Sequence, residues 1–192
     1  MSKEIFNSKE ALLAAEKIIT ISEKVAQGKL TRITEVDDEK IRELIENGIK
    51  YKKNNADEIG GILGAAAGGS LGVAGGFGLI TLMSASGTAG AAAVTSGLAS
   101  IGAVFGGGML AGIGAILVIP VALAAVGGIV GLILSSQNKV GRDRAKKELL
   151  SKSGRILVEL KIKAQETNSE FVIGTLLTLK ALMNDLSRDL EK

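Results

Sequence analysis

The side chains that usually carry chemistry are thinly supplied in this sequence. Its 192 residues include no Cys and no His, which removes thiolate nucleophiles, disulfides, Cys/His zinc sites and imidazole general bases. Carboxylates remain, and Asp37, Asp38 and Glu39 form a compact group. They stand where a helix should begin, and capping accounts for them: an Asp there accepts from the free N–H groups of the first turn. The glycine-rich tracts at 72–78 and 106–108 lack the Gly-Lys-Ser/Thr ending of a phosphate loop. Gly60, Gly61 and Gly64 follow no strand and have no acidic residue about 20 positions later, as dinucleotide binding would need. The sequence therefore predicts neither a catalytic residue nor a metal or cofactor, and not an enzyme.

The remaining chemistry is electrostatic. Between residues 139 and 163 nine Lys/Arg face only Asp143, Glu148 and Glu159. Lys139, Arg142, Arg144, Lys146 and Lys147 follow directly on an apolar run, the placement of a topology anchor and of contacts to anionic lipid headgroups. A nucleic-acid partner is not expected: Trp is absent, Tyr51 is the only tyrosine, and no aromatic platform accompanies the charge. The net charge of +3 is unevenly spread, with 11 basic and 12 acidic residues in 1–58 and 12 basic and 8 acidic residues in 139–192.

These basic residues border the dominant feature. Ile59 to Asn138 is 80 residues without Asp, Glu, Lys or Arg, and it holds 21 of the 26 glycines. Gly60, Gly64, Gly68, Gly72 and Gly76 recur at every fourth position. On a helix that spacing makes one face where a second backbone can approach closely, a packing or oligomerisation face within the chain or between copies. A repeat of four exceeds the helical 3.6, so the stripe drifts and a partner following it crosses right-handedly. Each glycine costs a helix interior in water roughly 1 kcal/mol relative to Ala, so such a helix needs close packing or lipid to compensate.

The run divides at its polar and glycine clusters. Ile59–Met83 is followed by a turn at Ser84–Gly87, and Thr88–Phe105 by a hairpin turn at Gly106, Gly107 and Gly108. Met109–Leu134 contains Pro120, which should kink it, and 135–138 closes the region. A bilayer span needs about 20 residues. Three crossings would part the termini, whereas basic residues on both sides of the run favour both termini on the cytoplasmic side and an even number. Two spans with a packed or re-entrant middle segment satisfy both signals; four shorter spans are the other even solution.

The flanks predict helices. Residues 7–27 have an apolar stripe at Ala11, Ala14, Ala15, Ile18, Ile21 and Val25, with Asn7 as N-cap, Glu10 at the capping-box position and Gly28 as the stop. Residues 29–36 read as extended chain or loop. Asp37 or Asp38 caps a second helix reaching about Lys53, with its stripe at Ile41, Leu44, Ile45 and Ile49. Gly154 is expected to separate two helices, and a last helix spans about Ser169–Leu190. The N-terminus has no basic segment followed by a short apolar run, so no cleavable signal peptide is expected. The sequence thus predicts an all-α fold in three parts: N-terminal amphipathic helices at 1–58, a glycine-zipper hydrophobic hairpin at 59–138, and a basic helix with C-terminal amphipathic helices at 139–192.

One stretch carries a resemblance. Thr95 to Gly112 reads Thr-Ser-Gly-Leu-Ala-Ser-Ile-Gly-Ala-Val-Phe-Gly-Gly-Gly-Met-Leu-Ala-Gly. It resembles the membrane core of the interferon-inducible small hydrophobic proteins, where a Ser-bearing apolar helix leads into a Gly-Gly-Gly turn. That resemblance implies a small integral-membrane protein without enzymatic activity; the long charged flanks depart from the pattern. The overall plan is similar to that of pore-forming colicin domains and the apolipoprotein L channel region, with no residue-level motif in common. The expected function is membrane insertion and permeabilisation by a pore-forming toxin, bacteriocin-like protein or defence effector. Its flanking helices would shield the hairpin until it inserts, and glycine faces would then pack into a homo-oligomer in an anionic bilayer. An uncharged interior offers no side-chain ring to select ions. The alternative is a non-pore membrane scaffold whose flanking helices bind a protein partner. A third reading is a soluble bundle that buries 59–138.

Overall fold

The computed structural model describes residues 4–54 and 128–191, and every described regular element is helical. The glycine ladder at Gly60, Gly64, Gly68, Gly72 and Gly76, the turn at Gly106–Gly108 and the kink at Pro120 lie outside the described residues. So does all of the apolar run except its last residues.

Helix α1 spans Lys9–Ala26. Its N-cap is Ser8, whose hydroxyl accepts from Ala11 N–H at 3.2 Å. The start is therefore one residue later than the sequence suggested, and the Asn7/Glu10 capping box does not form. Gly28 ends the helix as expected. Its φ of +74° lets Lys29 N–H reach the Lys24 carbonyl and Gly28 N–H reach that of Val25, the two bonds of a Schellman stop. The buried face is wider than the predicted stripe and adds Leu12 and Ile19, because α1 packs against more than one helix.

The connection after α1 closes in a single 3₁₀ turn, Ile33–Glu35. The Glu35 carboxylate accepts from the backbone N–H groups of Thr31 and Arg32, and these bonds hold it below the usual carboxylate range. Helix α2 spans Glu39–Asn54. Asp38 is its cap, accepting from Lys40 N–H at 3.0 Å and Ile41 N–H at 3.1 Å. Ile41, Leu44 and Ile45 are buried, and Ile49 packs partly buried beside them.

After the apolar run, α3 is a short helix at Ile129–Ser135, and α4 runs from Lys139 to Thr167. The expected break at Gly154 does not occur. Gly154 is buried inside a continuous 29-residue helix, between turns that bury Leu149, Ile156 and Leu160. The roughly 1 kcal/mol intrinsic cost of one glycine is small beside that burial, worth about 1.5–3 kcal/mol per large aliphatic side chain. Asn168 ends α4 in the left-handed region at φ 45°, and α5 spans Glu170–Leu190.

Helix α5 is the centre of the molecule and buries nearly every side chain of its first three turns, including Phe171, Ile173, Leu176, Leu177 and Leu179. α2 lies antiparallel to it: Leu44 receives a hydrogen bond from Thr178, Gly48 faces Gly174, and Lys53 pairs with Glu170. α4 is also antiparallel to α5, and α1 runs alongside α4, as Lys152 pairs with Glu16 and Glu23, and Lys163 donates to the carbonyls of Val25 and Ala26. Helices from both sides of the apolar run thus share one core. Among the described residues no helix is long and apolar enough to cross a membrane.

Candidate functional site

The two points where the described chain meets the apolar run are the places to look for function. The first is the end of α2. Lys50 and Lys53 are exposed there, Lys52 is half-buried, and Lys53 Nζ lies 3.4 Å from Glu170 at the start of α5. Cations in a last helical turn meet the partial negative charge of its free carbonyls.

The second point is the corner between α3 and α4. Gly128 opens α3 at φ +20°. Ile133 is fully buried and fixes α3 to the bundle, while Leu134 remains 42% exposed. Lys9 of α1 donates to the Leu134 carbonyl at 2.6 Å, satisfying a terminal carbonyl of α3. The turn is tight. A Cβ on Gly141 would lie 3.1 Å from Ser136 Cα, and the Asn138 side chain caps α4 by accepting from Gly141 N–H at 2.9 Å. Val140 follows, 77% exposed.

The basic residues singled out in the sequence begin here and divide. Lys139, Arg144 and Lys147 are exposed, and Lys139 also lies 3.7 Å from Glu4. Arg142 is half-buried, and its Nε is enclosed without a hydrogen-bond partner. Lys146 departs from the expected role of headgroup contact. Its side chain is fully buried, with Asp143 at 3.3 Å, Glu4 at 3.8 Å and Asp189 at 3.9 Å. The helical period explains the division, since position 146 turns toward α5 while 144 and 147 turn outward.

Asp189 is the other half of that cluster, and sequence reasoning gave no sign of it. Its Oδ2 accepts from the backbone N–H groups of Ile5 at 2.7 Å and Phe6 at 2.6 Å, holding the N-terminal segment against the end of α5 with Phe6 fully buried. The signal was thin: two acidic residues, Asp185 and Asp189, late in α5, where the helix dipole disfavours a carboxylate without a partner.

Lys161 of α4 and Lys180 of α5 lie near enough for their charges to repel. Burial pushes the Lys161 ammonium below its ordinary value. Burial, reinforced by the neighbouring Lys161 charge, pushes Lys180 down to about 8. Among the described residues no group of His, Cys, Asp and Glu has the arrangement of a metal site. The described residues present basic side chains at both places where the chain borders the apolar run, and exposed Leu134 and Val140 at the α3–α4 corner. A scan against protein-family models, a search of curated proteins and a search of solved structures each found no match.

Proposed function

We propose that the protein is a membrane-inserting, membrane-permeabilising protein that uses its glycine-zipper segment for helix packing in the bilayer. The observation that carries this reading is the α3–α4 corner. There the uncharged run returns to the folded domain through a helix with an exposed Leu134, and an exposed Lys139, Val140, Arg144 and Lys147 follow in the first three turns of α4. Apolar side chains beside outward-facing cations suit the boundary between acyl chains and anionic headgroups.

The flanking helices support the reading in a second way. Their apolar stripes form a core with one another, from Leu12 and Ile18 of α1 through Ile41 and Ile45 of α2 to Leu149, Leu160, Leu176 and Leu182 of α4 and α5. Those faces pack against one another across both flanks. Insertion therefore leaves the flanking domain folded at the surface, and the ladder at Gly60, Gly64, Gly68, Gly72 and Gly76 assembles the inserted part into a homo-oligomer. Both termini stand on the cytoplasmic side.

The direct test is dye release from vesicles containing anionic lipid. The wild-type protein should empty them, and Gly64→Leu with Gly68→Leu should abolish release while leaving the helical flanks folded by circular dichroism. Vesicles that stay sealed at high protein-to-lipid ratio refute permeabilisation. The core shared by the two flanks favours one second reading, a membrane scaffold presenting a helical domain to a protein partner. Growth of cells on expression separates the two, since a scaffold is tolerated and a permeabilising protein is toxic.

A further inference from the structure

The shared core constrains how the chain can meet a bilayer. α1 and α2 precede the apolar run and α4 and α5 follow it, yet they are joined by polar as well as apolar contacts. Asp189 holds the backbone of Ile5 and Phe6, Lys152 joins Glu16 and Glu23, Lys163 caps the end of α1, and Gly48 meets Gly174. A hydrocarbon layer about 30 Å thick has no place inside such a core, so both flanks occupy one side.

The exits of the bundle add a second constraint. α2 ends at the N-terminal end of α5, where Lys53 pairs with Glu170. α3 lies at the opposite end, where Lys9 holds the Leu134 carbonyl, Lys139 meets Glu4 and Lys146 meets Asp189. The 21 residues of α5 separate these ends, roughly 30 Å at the helical rise. From Asn54 to Ile59, where the uncharged run begins, the chain makes five residue steps, a reach of at most roughly 18 Å when fully extended. A bundle standing upright on its α3–α4 corner would leave the start of the run too far from the bilayer.

We propose that the four-helix domain lies along the surface of an anionic bilayer with its long axis in the membrane plane, anchored at both ends. Lys50, Lys52 and Lys53 form one anchor. Leu134 and Val140, with Lys139, Arg144 and Lys147, form the other. The occupant is a lipid surface because both anchors are cationic, because the α3–α4 anchor sets exposed Leu134 and Val140 beside its cations, and because the uncharged run follows one anchor in the chain and precedes the other. This inference rests on the membrane reading above and adds its orientation. It also fixes the crossings as an even number.

The chain has no cysteine, so single Lys53→Cys and Val140→Cys variants report on each anchor separately. Each is labelled with a fluorophore and bound to sealed vesicles of phosphatidylcholine and phosphatidylglycerol containing headgroup-level spin-labelled lipid. Quenching at both positions is expected, and a membrane-impermeant thiol reagent applied to the unlabelled variants should give both the same sidedness. Quenching at Val140→Cys alone means an upright bundle and overturns the proposal, as does opposite sidedness. Failure to bind vesicles overturns both this proposal and the membrane reading. Binding with both sites quenched but no dye release refutes permeabilisation and supports the orientation. In a second arm, Arg144→Glu with Lys147→Glu should weaken vesicle binding by roughly twentyfold or more, since each basic residue near an anionic surface contributes substantially. Its melting temperature should be unchanged because both side chains are exposed. Unchanged vesicle affinity in that variant overturns the α3–α4 anchor.

Discussion

Gly48 of α2 and Gly174 of α5 meet backbone to backbone. A Cβ on Gly48 would lie 2.7 Å from the Gly174 carbonyl oxygen, and a Cβ on Gly174 would lie 2.7 Å from the Ile45 carbonyl oxygen and 2.6 Å from Ile49 Cγ1. Two opposing effects decide what an added methyl does. Gly→Ala in a helix interior normally stabilises by roughly 1 kcal/mol. Here the atoms in the way include backbone, which moves only if the helices part. Gly48→Ala and Gly174→Ala are each expected to destabilise by roughly 1–3 kcal/mol, in the range of overpacked cores. Urea denaturation checks the sign: a gain in stability for either variant would show that α2 does not sit this close to α5.

The Lys146 ammonium and its carboxylates form a buried cluster whose members depend on one another. Lys146→Met removes the cation and leaves Asp189 enclosed with its backbone donors from Ile5 and Phe6. Breaking a buried ion pair from one side costs about 3–5 kcal/mol. A loss of that size is expected on denaturation. Adding Asp189→Asn should restore part of it, because the amide oxygen still accepts from the backbone while the stranded charge is gone. Strict additivity of the two substitutions would show that the pair is not coupled.

These sites mark the limit of what the sequence made legible. The helices α1, α2 and α5, an Asp cap at 37 or 38 and the Gly28 stop are readable in sequence, because each depends on residues a few positions apart. Gly48 and Gly174 are not, being isolated glycines whose meaning appears only when their helices cross. The ladder at Gly60–Gly76 is conspicuous in the sequence by its spacing alone, and it lies outside the described residues. Lys146 looks like its basic neighbours in sequence because only Asp143 among its partners is local. Glu4 and Asp189 come from the two far ends of the chain. Gly154 looks like a break in sequence because its intrinsic cost is visible there and the burial that outweighs it is not.

Asp38 combines two roles with different pH behaviour. Burial pushes its carboxyl up, but hydrogen bonds from Lys17 and from the Ile41 and Lys40 backbone, with the Lys17 charge, outweigh burial and hold it below the ordinary value. Its folded form therefore binds fewer protons than the unfolded chain in that interval. The stabilisation is complete above the ordinary carboxylate range, near about 4, and is lost as pH falls through the lower folded value. Asp38→Ala removes the cap and the ion pair and should cost roughly 1–2 kcal/mol at neutral pH. Asp38→Asn keeps an acceptor for the backbone and should cost less. The gap between Asn and Asp variants should close under acid, measured as denaturation midpoints across that range; a gap independent of pH would mean the carboxylate charge contributes nothing.

Lys180 should give the protein an alkaline rise in stability. Burial, together with the Lys161 charge, lowers its folded value from 10.5 to about 8. Below about 8 the ammonium is charged in both states, and the folded state bears the full penalty of holding it. Between about 8 and 10.5 the folded protein gives up this proton while the unfolded chain keeps it. Unfolding then takes up a proton, so stability increases with pH until the unfolded group also titrates. Lys180→Met keeps the aliphatic stem and deletes the charge. It should stabilise the protein at neutral pH by roughly 1–3 kcal/mol, the order set by a shift of this size. It should also flatten the rise above about 8. Lys180→Arg separates charge from shape, because guanidinium stays protonated throughout; that variant should lose the alkaline rise without the neutral-pH gain. If Lys180→Met is no more stable than wild type at neutral pH, the ammonium is not penalised and reaches water along its stem.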